Sequence, residues 1–248
     1  MQVLTRICAA LCLLSVLSAC AVQPVPRDKA AAFRTIAVVS AFSDTLAIRF
    51  RGFTVFQNRS AVEQPTWSHN EIALSFLSER LPRNYELIEA VAVRTGESAE
   101  PGATPAAIAR RALAGQTVDA IIVLTETRYD TEYMGPLPGI GLWRATNLVG
   151  SWTTAAYSAF KIDVLDGTTF NVLASSLASP NREFGDPEIS IGVLMTSAKR
   201  TDHVGPFEWR KNFKEYSPES LQTIETAVRR IIEACLRDTL TKMNIRLD

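Results

Sequence analysis

The side chains in this 248-residue chain that could do chemistry are few, and most stand alone. Cys20 closes the run Leu17-Ser18-Ala19-Cys20, and a thiol behind small residues is a nucleophile that a processing enzyme can reach. His69 and His203 are the two histidines, and neither has a second His or Cys at ligand spacing. The three or four donors that zinc takes are therefore not assembled. His69 stands where a helix should begin, which points to an exposed or cap-adjacent place. Glu126, Asp130 and Glu132, with Arg128 between them, could pair for acid–base work. At alternate positions of one strand they read more simply as a solvated charge ladder. Gly139-Ile140-Gly141 opens like a dinucleotide loop, but Arg144 occupies the place of the third glycine. A strand-like segment follows, where a phosphate cradle needs helix-terminal N–H groups. The sequence contains neither a Gly-x-Ser-x-Gly elbow nor a Gly-Lys-Ser/Thr phosphate loop. These patterns lead us to expect no catalytic residue, no metal site and no cofactor.

The elements around Cys20 decide what its thiol is for. Arg6 precedes the apolar run Ile7–Leu17, which is far short of the roughly 20 residues that span a bilayer as a helix. A basic start, a short apolar stretch and small residues before a break are the parts of a secretory signal. Leu17-Ser18-Ala19-Cys20 resembles the lipobox of bacterial lipoproteins in sequence and in position. The resemblance implies that Cys20 accepts a diacylglyceryl group, that the chain is cut before it, and that the new amino terminus is acylated. Several acyl chains, at about 0.8 kcal/mol per buried CH₂, make a firm anchor. Ala21 stands where the family's inner-membrane retention signal is Asp. By resemblance, then, the protein is lipid-anchored to the outer membrane and faces the periplasm.

The full chain has 26 basic and 26 acidic side chains, and removal of residues 1–19 takes only Arg6 with it, leaving the balance one unit negative. That is no electrostatic footprint for nucleic acid or for an anionic membrane surface. Cys8 and Cys12 leave with the signal and Cys20 is lipidated, so Cys235 is the remaining thiol and no intramolecular disulfide can form. Cys235 lies on an apolar helix face with nothing basic to activate it, and reads as an inert core thiol. The apolar core must carry the fold, and 47% hydrophobic content suffices.

Residues 20–32 read as the lipidated cysteine and a proline-bearing linker, reaching roughly 40 Å at full stretch; residues 33–248 read as one α/β periplasmic domain. The spacing predicts a strand buried on both faces over 33–42 and a strand with one wet face, carrying Arg49 and Arg51, over 46–58. A helix follows from Thr66 or Ser68 to about Arg80, with Ile72, Phe76 and Leu77 on one side. Residues 85–93 are a strand. Thr104, Pro105 and Gly115 bound a second helix, and 118–130 begins as a buried strand and finishes polar. After a loop with four glycines, residues 151–179 form a long hairpin turning at Asp166-Gly167. Ser217-Pro218-Glu219 starts the clearest helix, with Leu221, Ile224, Val228, Ile231, Ile232, Cys235 and Met243 at spacings of three and four. The expected fold is α/β (α+β): a mixed sheet with helices packed on it, ending in a long C-terminal helix.

This order resembles the periplasmic α/β module of the curli-export lipoprotein family CsgG, the amino-terminal domain of TolB, and activator lipoproteins of cell-wall synthases. The residues carrying the resemblance are "TIAVVSAF", "ALAGQTVDAIIVLTETRY" with Asp119, and "YSAFKIDVLDGTTFNVLAS". We expect the chain to act as a non-enzymatic envelope interaction or assembly module; the alternative is a CsgG-like oligomeric channel subunit, for which Arg49 and Arg51 are hard to place. The candidate partner-binding residues are Tyr133, Met134, Trp143 and Arg144, in a Gly/Pro-shaped segment rich in the types that interfaces favour. Either that segment presents them to an envelope protein, a second copy or the membrane, or it folds back and buries them.

Overall fold

The computed structural model of the protein describes residues 24–52, 58–82, 85–92, 103–131, 135–146, 152–178, 202–203 and 213–248. Its fold is α+β: mixed sheets with helices packed on them and a long helix towards the C terminus. In chain order the elements are α1 (Arg27–Ala32), β1 (Thr35–Ala41), β2 (Leu46–Arg51), β3 (Arg59–Glu63), α2 (His69–Arg80), β4 (Glu86–Ala92) and α3 (Pro105–Leu113). They continue as β5 (Ala120–Glu126), β6 (Arg128–Thr131), β7 (Gly135–Pro138), β8 (Ile140–Thr146), β9 (Trp152–Ser158), β10 (Phe160–Asp166), β11 (Val172–Ala178), β12 (Asp202–His203) and α4 (Pro218–Lys242).

The first sheet runs β11-β10-β5-β1-β4. β1 is parallel to β4 and β5, while β10 is antiparallel to β5 and β11. Along β1, Ile36 and Val38 enter the main core with α2 and α4, and Ala37 and Val39 enter a second cluster with Ile108, Ala109 and Leu113 of α3. Burial on both faces explains why the run shows no polar alternation. The helices start where the sequence places them: the Ser68, Thr104 and Ser217 hydroxyls accept from Glu71, Ala107 and Ser220 N–H.

A second sheet, β12-β9-β8-β2-β3, extends the first. Only Ala159 separates β9 from β10. Thr127 N–H donates to Ala159 C=O (3.0 Å), Gly139 N–H to Thr127 C=O (2.8 Å) and Ala159 N–H to Gly139 C=O (2.7 Å), stitching a seam between the sheets. Helix α4, 25 residues long, packs against β9, β11, β12 and α2. At 1.5 Å per residue it is about 37 Å long and covers one face of both sheets, taking in Phe160 and Ile162 from the first and Ile48, Leu142 and Ala156 from the second.

Three expectations change. The 46–58 strand stops at Arg51, where Gly52 N–H donates to Asn58 Oδ1 at 3.2 Å, and the chain returns as β3 antiparallel to β2. The glycine-rich loop contains two strands. Pro136 and Pro138 are tolerated in β7 because, among the described strands, it pairs only with β6. Gly141 serves close packing in β8 rather than a turn: a Cβ there would run into the Ala47 carbonyl and lie 2.6 Å from the Tyr157 ring. Finally, the linker reading fails from Val25 onward. Val25 is fully buried, its N–H donates to Met243 C=O (3.1 Å), its C=O accepts from Asn244 Nδ2 (2.9 Å), and α1 follows at once. A six-residue helix is too short to show a period, and its docking partners lie at the other end of the chain.

Candidate functional site

Polar side chains gather at two places, the two ends of the first sheet. One is the seam, past the C-terminal ends of the parallel strands β1 and β5, the usual position for ligands in α/β sheets. There Ser43 donates its N–H (2.8 Å) to Glu126 Oε1 and its hydroxyl to the same carboxylate (2.8 and 2.9 Å). Burial pushes the Glu126 carboxyl above its usual range, against the pull of the Ser43 donors. Asp44, in the left-handed region at φ 51°, accepts from Ser68 Oγ (3.0 Å), His69 N–H (2.8 Å) and Asn70 N–H (3.3 Å). It thus supplies an anion to the N terminus of α2. Asn70 ties the same corner to β1, accepting from Ser40 Oγ (2.8 Å) and Phe42 N–H (2.9 Å) and donating to Phe42 C=O (3.0 Å).

One sequence expectation is corrected here and one is narrowed. Glu126 belongs to no solvated ladder: the strand breaks at Thr127, and its side chain turns inward to Ser43. His69 adjoins the cap as expected but is not exposed. It is fully buried, neither ring nitrogen has a hydrogen-bond partner among the described residues, and burial lowers its pKa to about 4 despite the Asp44 carboxylate. The carboxylates and hydroxyls of the seam are spent on backbone amides and on each other, an arrangement that locks loops in place. Asp163 of β10, also buried, is ion-paired with Lys161 at 2.9 Å. Cys235 is buried and accepts from Ser158 Oγ at 3.2 Å.

Of the candidate partner-binding residues, Tyr133 and Met134 lie outside the described residues, as does Cys20. Trp143 and Arg144 are neighbours on β8. Trp143 is 2% exposed and packs with Ala47, Leu137, Ala155 and Tyr157 on the face of the second sheet away from α4. It is therefore not presented as an anchor on a loop, because β8 pairs on both sides and directs it inward. Tyr157 OH donates to Pro138 C=O (3.2 Å), and burial pushes its phenol upward. Arg144, half-buried, is held below the usual guanidinium range by desolvation, with Tyr216 opposing.

The other end is the root, where the chain enters the domain. Asp119 accepts from Arg34 N–H (2.8 Å) and Thr35 N–H (2.9 Å), and these amides, Thr35 first, hold its carboxyl below the usual range. Asp166 accepts from Lys29 Nζ at 2.9 Å and from Thr168 and Thr169 N–H in the β10–β11 turn; Lys29 is the largest cause of its strongly lowered pKa. Between α1 and the segment after α4 lies an open cleft of about 490 Å³. Nothing in the sequence marked it, since its walls meet only in the folded chain. Among the described residues no group of three His, Cys, Asp or Glu side chains could hold a metal ion, and no helix is long and apolar enough to cross a membrane.

No family model matches the chain, and no curated protein matches it. Among solved structures, a crystal structure of a Xanthomonas campestris protein of family DUF330 is similar at 12% identity, over 90% of this chain and 92% of that one, with a TM-score of 0.39.

Proposed function

We propose that the protein is a lipid-anchored outer-membrane lipoprotein on the periplasmic face. In this reading it acts as a non-enzymatic interaction or assembly module that binds an envelope protein or further copies of itself. The observation that carries the reading is Leu17-Ser18-Ala19-Cys20 followed, five residues after the cysteine, by the buried Val25. A short apolar leader would be removed, and the mature domain would begin almost at the acylated residue. Support for a non-enzymatic role comes from the seam, where the Glu126 and Asp44 carboxylates are committed to Ser43 and to the cap of α2.

The test is metabolic palmitate labelling of the full chain in its bacterial host. Wild type should incorporate label and fractionate with the outer membrane. Cys20→Ser should lose both, because a hydroxyl is a far poorer nucleophile than a thiolate towards the lipid donor. Labelling that survives this substitution defeats the proposal.

A further inference from the structure

The cleft at the root is lined by Arg27, Tyr85, Thr241, Asn244, Arg246 and Leu247 among others, and among the described residues no acidic side chain lines it. Arg27 and Arg246 are exposed, and among the described residues neither guanidinium is ion-paired. Thr241 adds a hydroxyl, and Tyr85 and Leu247, both packed on the core, add apolar surface. Two guanidiniums with a hydroxyl beside them suit a phosphate, which Arg binds through paired N–H donors. A volume of about 490 Å³ is in the range of small-molecule sites.

Position supplies the rest. Asn244, at φ 63°, belongs to the cleft lining and also holds the Val25 carbonyl. Val25 lies five positions after Cys20, at most about 18 Å of extended chain. An anchor at Cys20 therefore keeps the cleft beside the headgroup layer. We propose that the cleft seats the phosphate of a membrane phospholipid, so that the domain rests on the leaflet holding its own anchor, in one orientation. This rests on the anchored reading above and goes further, since a tether alone would leave the domain free to turn. The near-zero net charge hides the site because only two local arginines build it. Each cation near an anionic surface strengthens binding roughly fivefold.

The test uses the full lipidated protein in phosphatidylglycerol/phosphatidylethanolamine vesicles and in a neutral detergent, with hydrogen exchange read on peptides covering 25–32 and 241–248. Vesicles should slow exchange there by about fivefold or more and leave β8 unchanged. The double variant Arg27→Glu/Arg246→Glu should exchange at the detergent rate while remaining vesicle-bound through its acyl chains. Slowing that persists in the double variant, or is absent from wild type on vesicles, overturns the headgroup site and leaves the anchor standing. Inorganic phosphate in detergent that slows exchange as much as vesicles do makes this a free-phosphate site and overturns the proposal equally. A protein that carries no acyl chain removes both readings, which the Cys20 labelling detects separately.

Discussion

At the seam, Glu126 takes both Ser43 donors and Asp44 sits on the amides that open α2. At the root, some 20 Å away by the rise of β1, Arg27 and Arg246 face solvent beside an open cleft. Both ends also carry clamps: Asn70 and Asp44 at one, Asp119 and the Lys29–Asp166 pair at the other. The difference lies in what is left over. The seam buries titratable groups at a cost to folding and commits Glu126 and Asp44 to backbone amides and hydroxyls, whereas the root has exposed clamps and two arginines with no ion pair among the described residues. Polarity at a strand's C-terminal edge is thus no sufficient sign of a binding site; the uncommitted donors matter, and here they stand at the opposite edge.

The largest expected effect breaks the comparison if it fails. Trp143→Ala in the second sheet should destabilise the protein by roughly 3–5 kcal/mol in urea unfolding and leave vesicle contacts at the root untouched. A melting point close to wild type would mean that Trp143 serves an external partner and that this end of the molecule is the binding end.

Acid sharpens the contrast. His69 has its folded pKa lowered from 6.5 to about 4, so below pH 6.5 the unfolded chain takes up a proton that the fold refuses. Stability from this group is full above 6.5 and is lost as pH falls towards 4, by about 3 kcal/mol. Glu126 works in the opposite sense. Its folded pKa is raised above 4.5, so its contribution is present below 4.5 and lost as pH rises through the raised value. Asp119 and Asp166 at the root have lowered pKa values, and their smaller, solvent-screened contributions fail only below 3.8. Denaturant midpoints from pH 7 to 4 should fall in wild type and fall less in His69→Leu. Parallel curves for the two proteins would show that the seam is not the acid-sensitive end.

The smallest effect belongs to the root clamp. Lys29 and Asp166 have side chains 40% and 21% exposed, so Lys29→Ala should cost less than about 1 kcal/mol in thermal unfolding. A larger loss would place the root among the buried, cooperative parts of the core.

The first sheet and its helices were legible because their signals are local: the unbroken apolar run of β1, the Ser68, Thr104 and Ser217 caps, and Asp166-Gly167 at the hairpin turn. The seam was not. Thr127 leaves the strand to donate to Ala159, which resets the alternation that made Glu126 look solvated. Its hydroxyl partner, Ser43, is 83 positions away. Gly141 and the prolines of β7 carry turn chemistry in composition while serving strand packing and a sheet edge in fact. The cleft needed α1 and the segment after α4 to meet, and no window of sequence contains both.

Helix α4 follows every strand in the chain and fills the inner face of both sheets with Ile224, Val228, Ile231, Ile232 and Leu236. A chain made from its N-terminal end delivers this helix last. Until it arrives, Ala156 of β9 and Ala174 and Ala178 of β11 lack the helix they pack against, while α2 can already cover β1 and β4, so the core closes only in part. Lateness of the lid would keep the chain pliable during synthesis and make its final segment the trigger that commits it to shape.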